Sequence, residues 1–118
     1  MALYNELPVY KVSYELLRDV VQFGEHMSRA FRYSMHQQLQ QDVLDVIVRI
    51  YRANRSKDKL RHIDEARERL VEIEVKIRLL ADFHQISSGQ YAQLVLKCGM
   101  LGKQLAAWGK AQATIKEG

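Results

Sequence analysis

The sequence predicts an all-α domain, an antiparallel up-down four-helix bundle with residues 1–118 as one unit. Three observations lead there. Apolar residues recur at alternating spacings of three and four in four separate stretches, the period of one helix face. One proline and six glycines in 118 residues are too few turn-formers for the many hairpins of a sandwich or barrel. With 47% hydrophobic and 27% charged residues, the chain is too apolar to remain disordered.

The first helix is predicted over 9–25 and opens at Pro8, whose fixed φ and missing N–H suit a first turn. Val9, Tyr10, Val12, Tyr14, Leu16, Leu17, Val20, Val21 and Phe23 spread over roughly 200° of its wheel, against about 100° for one core contact. The surplus predicts a second contact, which places Tyr10, Tyr14, Leu17 and Val21 in a subunit interface. Gly24 through Phe31 breaks the pattern. A second helix over 33–54 then carries Met35, Leu39, Val43, Val46, Ile47 and Ile50. Asn54 to Lys57 form a polar connection, with Ser56 or Asp58 as N-cap of a third helix over 58–85. Its seam is Ile63, Ala66, Leu70, Ile73, Ile77 and Leu80. Ser87 and Gln90 form a capping box that opens a fourth helix over 88–114, with Tyr91, Leu94, Cys98, Leu101, Leu105 and Trp108 on its seam. Beside that seam, Gly99, Gly102, Ala106 and Gly109 make a stripe of small residues. Each internal glycine costs roughly 1 kcal/mol relative to alanine, so close packing is expected along the whole stripe. Leu96 and Met100 lie opposite the seam and join the predicted subunit interface.

Nothing in the chain predicts an enzyme: no catalytic residue, metal ligand set or cofactor site is assigned. Two-metal bundles carry Glu-x-x-His, and the residues three before His26, His36, His62 and His84 are Phe23, Tyr33, Lys59 and Ala81. Cys98, the one cysteine, sits on an apolar seam and reads as a small buried thiol that forms no internal disulfide. The start MALYNELP has neither a basic nor an apolar leader region, and no run approaches the roughly 18 apolar residues of a membrane span. A soluble, cytoplasmic protein without membrane contact is expected.

Charge is the informative property. Eighteen Lys and Arg against fourteen Asp and Glu give +4. Arg49, Arg52, Arg55, Lys57, Lys59 and Arg61 fall within thirteen residues around the second interhelix turn, opposed only by Asp58. The fourth helix adds Lys97, Lys103, Lys110 and Lys116, with no acid between Ser87 and Lys116. The turn cluster, with Lys103 and Lys110, is therefore the candidate nucleic-acid surface, which would bind through the phosphate backbone. An ordinary solvated face is the competing reading. Most aromatic residues occupy apolar stripes and are expected in the core. Tyr33, at a helix entrance, could expose its ring for stacking on a base.

The strings LPVYKVSYELL (7–17), FRYSMHQQLQQ (31–41), IYRANRS (50–56), QISSGQY (85–91) and QLAAW (104–108) resemble the accessory variability determinant proteins of diversity-generating retroelements. The likeness extends over nearly the whole chain. These proteins are akin to the four-helix-bundle proteins encoded in intervening sequences of bacterial ribosomal RNA genes. His36 departs from the pattern, which has a small residue, usually glycine, at the entrance to the second helix. The resemblance implies a non-enzymatic subunit that assembles into a basic homopentamer. Its implied partners are the retroelement's reverse transcriptase and template RNA or cDNA, bound in support of mutagenic retrohoming. By position, Arg52 and Asn54 of YRAN match the family string. The alternative is a structural oligomer of the intervening-sequence type without a reverse transcriptase partner.

Overall fold

A computed structural model describes residues 3–117; the ends of the predicted 1–118 unit, Met1, Ala2 and Gly118, lie outside the described residues. All regular structure among the described residues is helical. After a single 3-10 turn at Tyr4–Glu6 come α1 (Pro8–Phe23), α2 (Arg29–Arg32), α3 (Met35–Arg55), α4 (Lys59–Asp82) and α5 (Ser88–Glu117). Four of these are long. At 1.5 Å per residue the 30 residues of α5 span about 45 Å, which sets the 50 Å long axis of a rod 20 by 18 Å across.

Each long helix packs on two others: α1 on α3 and α5, and α4 on α3 and α5. The predicted seams point inward. Leu16, Leu39, Ile50, Ile73, Ile77, Leu80, Leu94, Leu101 and Leu105 are fully buried, and burial of such a side chain contributes about 1.5–3 kcal/mol. Ion pairs reinforce the α3–α4 contact. The buried carboxylate of Asp42 meets Lys76 and, at 3.7 Å, Arg69; Asp45 meets Arg69 at 3.1 Å and Arg49 at 3.4 Å; Arg49 also binds Glu65.

The ends of the elements differ from expectation in instructive ways. The segment predicted only as a break contains α2, one turn held by the Arg32 N–H donating to the Ser28 carbonyl at 2.9 Å. This turn separates Tyr33 from the helix it was expected to begin, and α3 starts at Met35. Its entrance is organised by His36, which is buried: Nε2 lies 2.7 Å from the Val20 carbonyl, and the Gln40 amide lies 3.1 Å from Nδ1. The space a small residue would leave here is supplied by Gly24, where a Cβ would overlap the imidazole. Asp58 stands at the N-cap of α4, but its side chain makes no capping bond; instead its N–H donates to Ser56 Oγ at 3.0 Å. The box at α5 forms as expected, with Ser87 N–H to Gln90 Oε1 at 2.9 Å and Gln90 N–H to Ser87 Oγ at 3.1 Å.

Helix α4 ends at Asp82, earlier than the predicted 85, because His84 takes φ 57°. The His84 N–H donates to the Ala81 carbonyl at 3.0 Å and the Gln85 N–H to the Leu80 carbonyl at 2.8 Å. This six-to-one and five-to-two pairing is the usual glycine-favouring helix stop. A Cβ in the left-handed region costs roughly 1–2 kcal/mol, and glycine returns part of the gain through a freer unfolded chain. His84→Gly should therefore stabilise the protein by about 0.5–1 kcal/mol, read as a higher urea midpoint at unchanged slope.

The small stripe of α5 is not uniformly packed, contrary to expectation. A Cβ on Gly109 would meet Ile63 at 3.4 Å and one on Gly102 would meet Leu70 at 3.5 Å, but one on Gly99 meets nothing within 4 Å. Gly99 lies on the exposed side of the helix, among Val95, Leu96 and Met100. Of the residues assigned to a subunit interface, Tyr14, Val21, Leu96 and Met100 are exposed, whereas Tyr10 and Leu17 are half-buried against the core. The Tyr10 and Tyr14 rings stack with centroids 6.0 Å apart.

Candidate nucleic-acid interface

The basic turn lies where α3 ends and α4 begins, and its cations have different local roles. Arg49, one turn back, is half-buried and held by Asp45 and Glu65 across the α3–α4 seam. Its guanidinium locks the two helices together. Lys59 folds its ammonium onto the Ala53 and Asn54 carbonyls, both at 2.9 Å. Those carbonyls belong to the last turn of α3, so Lys59 neutralises the negative end of that helix. Arg61 faces Asp58 at 4.0 Å with both side chains well exposed, a contact worth little in water.

Three cations remain directed outward. Arg52 and Lys57 are exposed and make no ion pair with the described residues; Arg55 is exposed and rests on Tyr51, its guanidinium carbon 5.4 Å from the ring centroid and one nitrogen bonded to the phenol oxygen. Among the described residues, no carboxylate pairs with any of the three. Helix geometry explains their position: Arg52 and Arg55 are three apart on the final turn of α3, so they share a side, and Lys57 follows in the connection. The last part of α5 reaches the same end, since Gln112 and Ile115 line a depression of about 340 Å³ with Lys57, Asp58, Lys59 and Leu60. Lys110 follows Gly109, which faces Ile63 near the start of α4, and is therefore toward this end; Lys103 follows Gly102, which faces Leu70, and lies nearer the middle. Both lysines are exposed without ion pairs among the described residues, whereas Lys97 is held by Asp19 of α1.

Tyr33 is exposed, with the Arg29 guanidinium 5.9 Å from its ring centroid. It stands before α3 while Arg52 and Arg55 close that helix, so roughly 28 Å of helix separates the ring from the basic turn. Beside the turn stand Tyr51 and His62, which the sequence reading did not connect to it, and Ser56, which it gave only as part of the polar connection and a candidate cap. They line, with Arg52 and Arg55, a shallow depression of about 310 Å³. The only advance signal was the short connection, which brings one turn of α4 back beside the end of α3.

Cys98 is buried in the α4–α5 seam. Desolvation, and secondarily the charge of Glu74, push its thiol up to about 12 from an ordinary value of 9.0. At pH 8 the thiolate is scarcer by about a thousandfold, so alkylation of the native protein should be slower than that of the urea-unfolded chain by at least two orders of magnitude. Equal rates would show an accessible thiol.

No helix among the described residues is long and apolar enough to cross a membrane. No protein-family model and no curated protein matches the chain.

Proposed function

We propose that the protein is a cytoplasmic, non-enzymatic accessory subunit of a diversity-generating retroelement. In this reading it is a basic homo-oligomer, a pentamer by resemblance, that holds reverse transcriptase and template RNA or cDNA together. The observation that carries the reading is the exposed group Arg52, Arg55 and Lys57, which no carboxylate among the described residues neutralises, at one end of a long helical rod. Backbone phosphates require a zone of one sign, and repetition around an oligomer axis would let weak contacts act together. Arg52 also belongs to the YRAN string on which the family likeness rests.

Two further features support it. The α3–α4 pairs run in opposite order along the two helices, Asp42 with Lys76, Asp45 with Arg69 and Arg49 with Glu65, as an up-down antiparallel bundle requires. In addition, Tyr14 and Val21 on α1, with Leu96 and Met100 around the open Gly99 on α5, supply apolar surface beyond the core of one chain.

The test combines light scattering at micromolar concentration, titration of a labelled structured RNA at about 50 mM salt, and co-purification with a co-expressed reverse transcriptase of a diversity-generating retroelement. The expected results are a mass of several chains, RNA binding and capture of the polymerase. A monomer, or a chain that ignores RNA at low salt, overturns the proposal. An oligomer that binds neither RNA nor polymerase supports the structural, intervening-sequence alternative.

A further inference from the structure

A row of aromatic rings leads to the basic end of α3. Tyr10 and Tyr4 meet edge to face with centroids 5.3 Å apart, Tyr4 and Tyr51 meet in the same way at 4.9 Å, and the Arg55 guanidinium lies over the Tyr51 ring at 5.4 Å. The row joins three separate elements: Tyr4 comes from the 3-10 turn, Tyr10 from α1, and Tyr51 and Arg55 from the end of α3. The turn at Tyr4–Glu6 rests on both α1 and α3, yet it buries none of its residues, and the Tyr4 side chain stays 38% exposed. The core therefore does not explain why this ring is held here. Tyr51 is the organiser. Arg55 lies over its ring, its phenol oxygen accepts a bond from the same guanidinium, and Tyr4 stands against it.

An exposed ring and a guanidinium plane, both fixed by one tyrosine and set beside Arg52 and Lys57, match the two chemistries of an unpaired nucleotide. Base faces stack on aromatic rings and arginine planes, and cations take the phosphates between them. A base inside a duplex has both faces covered by its neighbours and offers neither to a ring. We propose that Tyr4 and Arg55, held by Tyr51, are stacking platforms for unpaired bases, so that this end of the rod takes single-stranded nucleic acid in preference to duplex. The site rests on the nucleic-acid reading and deepens it by naming the strand form. One nitrogen of Arg55 binds the phenol, and the others are left for a phosphate beside those held by Arg52 and Lys57. Glu6, the exposed acid of the turn, leaves the Tyr4 side to stacking rather than to charge. Tyr14, which stacks on Tyr10 at the far end of the row, belongs to the apolar α1 surface of the oligomer reading and lies outside the platform. Charge alone argues for the opposite preference, because a duplex carries phosphates more densely than a single strand.

The test is fluorescence anisotropy of the intact chain with a labelled, unstructured RNA of about 20 nucleotides, alone or annealed to its complement, across a salt series. The single strand should bind about tenfold more tightly than the duplex at about 0.1 M salt. Tyr4→Leu should weaken single-strand binding about fivefold or more, leave duplex binding unchanged and keep the salt slope, because a stacking contact releases no counterion. Tyr4→Phe keeps the ring and should bind as the natural chain does. Circular dichroism verifies the helicity of both variants. A duplex bound as tightly as the single strand, an unchanged single-strand affinity in Tyr4→Leu, or equal losses for both strand forms overturns the platform, while the broader nucleic-acid reading stands. A loss in Tyr4→Phe as great as in Tyr4→Leu also overturns it, since the hydroxyl and not the ring would then make the contact. A chain that binds neither strand form overturns both the platform and the broader reading.

Discussion

Gly24→Ala should destabilise the protein by about 2–4 kcal/mol in urea denaturation, although the backbone at that position suits alanine. Gly24 has φ −74° and ψ −12°, ordinary right-handed geometry. It is required because the His36 ring occupies the volume of a side chain there. The imidazole cannot retreat cheaply, since Nε2 is tied to the Val20 carbonyl and Nδ1 faces the Gln40 amide. Overpacking costs about 1–3 kcal/mol, and loss of the carbonyl's buried partner adds about 1–3. The double-mutant cycle is decisive because the sign should change. In a His36→Ala background the obstruction is gone, and Gly24→Ala should stabilise by about 0.4–1 kcal/mol by restricting the unfolded chain. An equal cost in both backgrounds would mean that Gly24 serves some purpose other than making room for His36.

The helical seams were legible because they depend on local periodicity. Ile63, Ala66, Leu70, Ile73, Ile77 and Leu80 are all buried, as are Leu94, Cys98, Leu101 and Leu105. A three-four repeat fixes one face of a helix before any neighbour is known. What escaped the sequence depends on contacts through space. The Gly24–His36 exchange joins residues twelve apart, one capping the end of α1 and the other in the first turn of α3, and neither alone announces the other. Gly99 fits the small stripe by spacing, yet its position faces away from the protein's own helices.

Charge was legible as a cluster but not in its division of labour. Arg49, Lys59 and Arg61 count equally with Arg52, Arg55 and Lys57 in a sum along the chain. Their partners separate them: Glu65 and Asp45 for Arg49, two carbonyls for Lys59 and Asp58 for Arg61. A cation already bonded in the fold must give up those bonds to reach a phosphate. Arg49→Gln should accordingly reduce stability more than RNA affinity.

Changing Arg52, Arg55 and Lys57 together to glutamine should leave fold and mass intact and weaken RNA binding by about two to three orders of magnitude near 0.1 M salt. Each lost phosphate contact forgoes the release of about one counterion, so three contacts scale affinity by nearly the third power of salt concentration. Sequence preference should hardly change, because backbone contacts position a nucleic acid without reading its bases. The most direct measurement is the slope of log affinity against log salt for a structured RNA, compared between the natural chain and this triple variant. The account predicts a slope smaller in magnitude by about two to three in the variant; identical slopes and affinities would contradict it and identify the end of α3 as ordinary solvated surface.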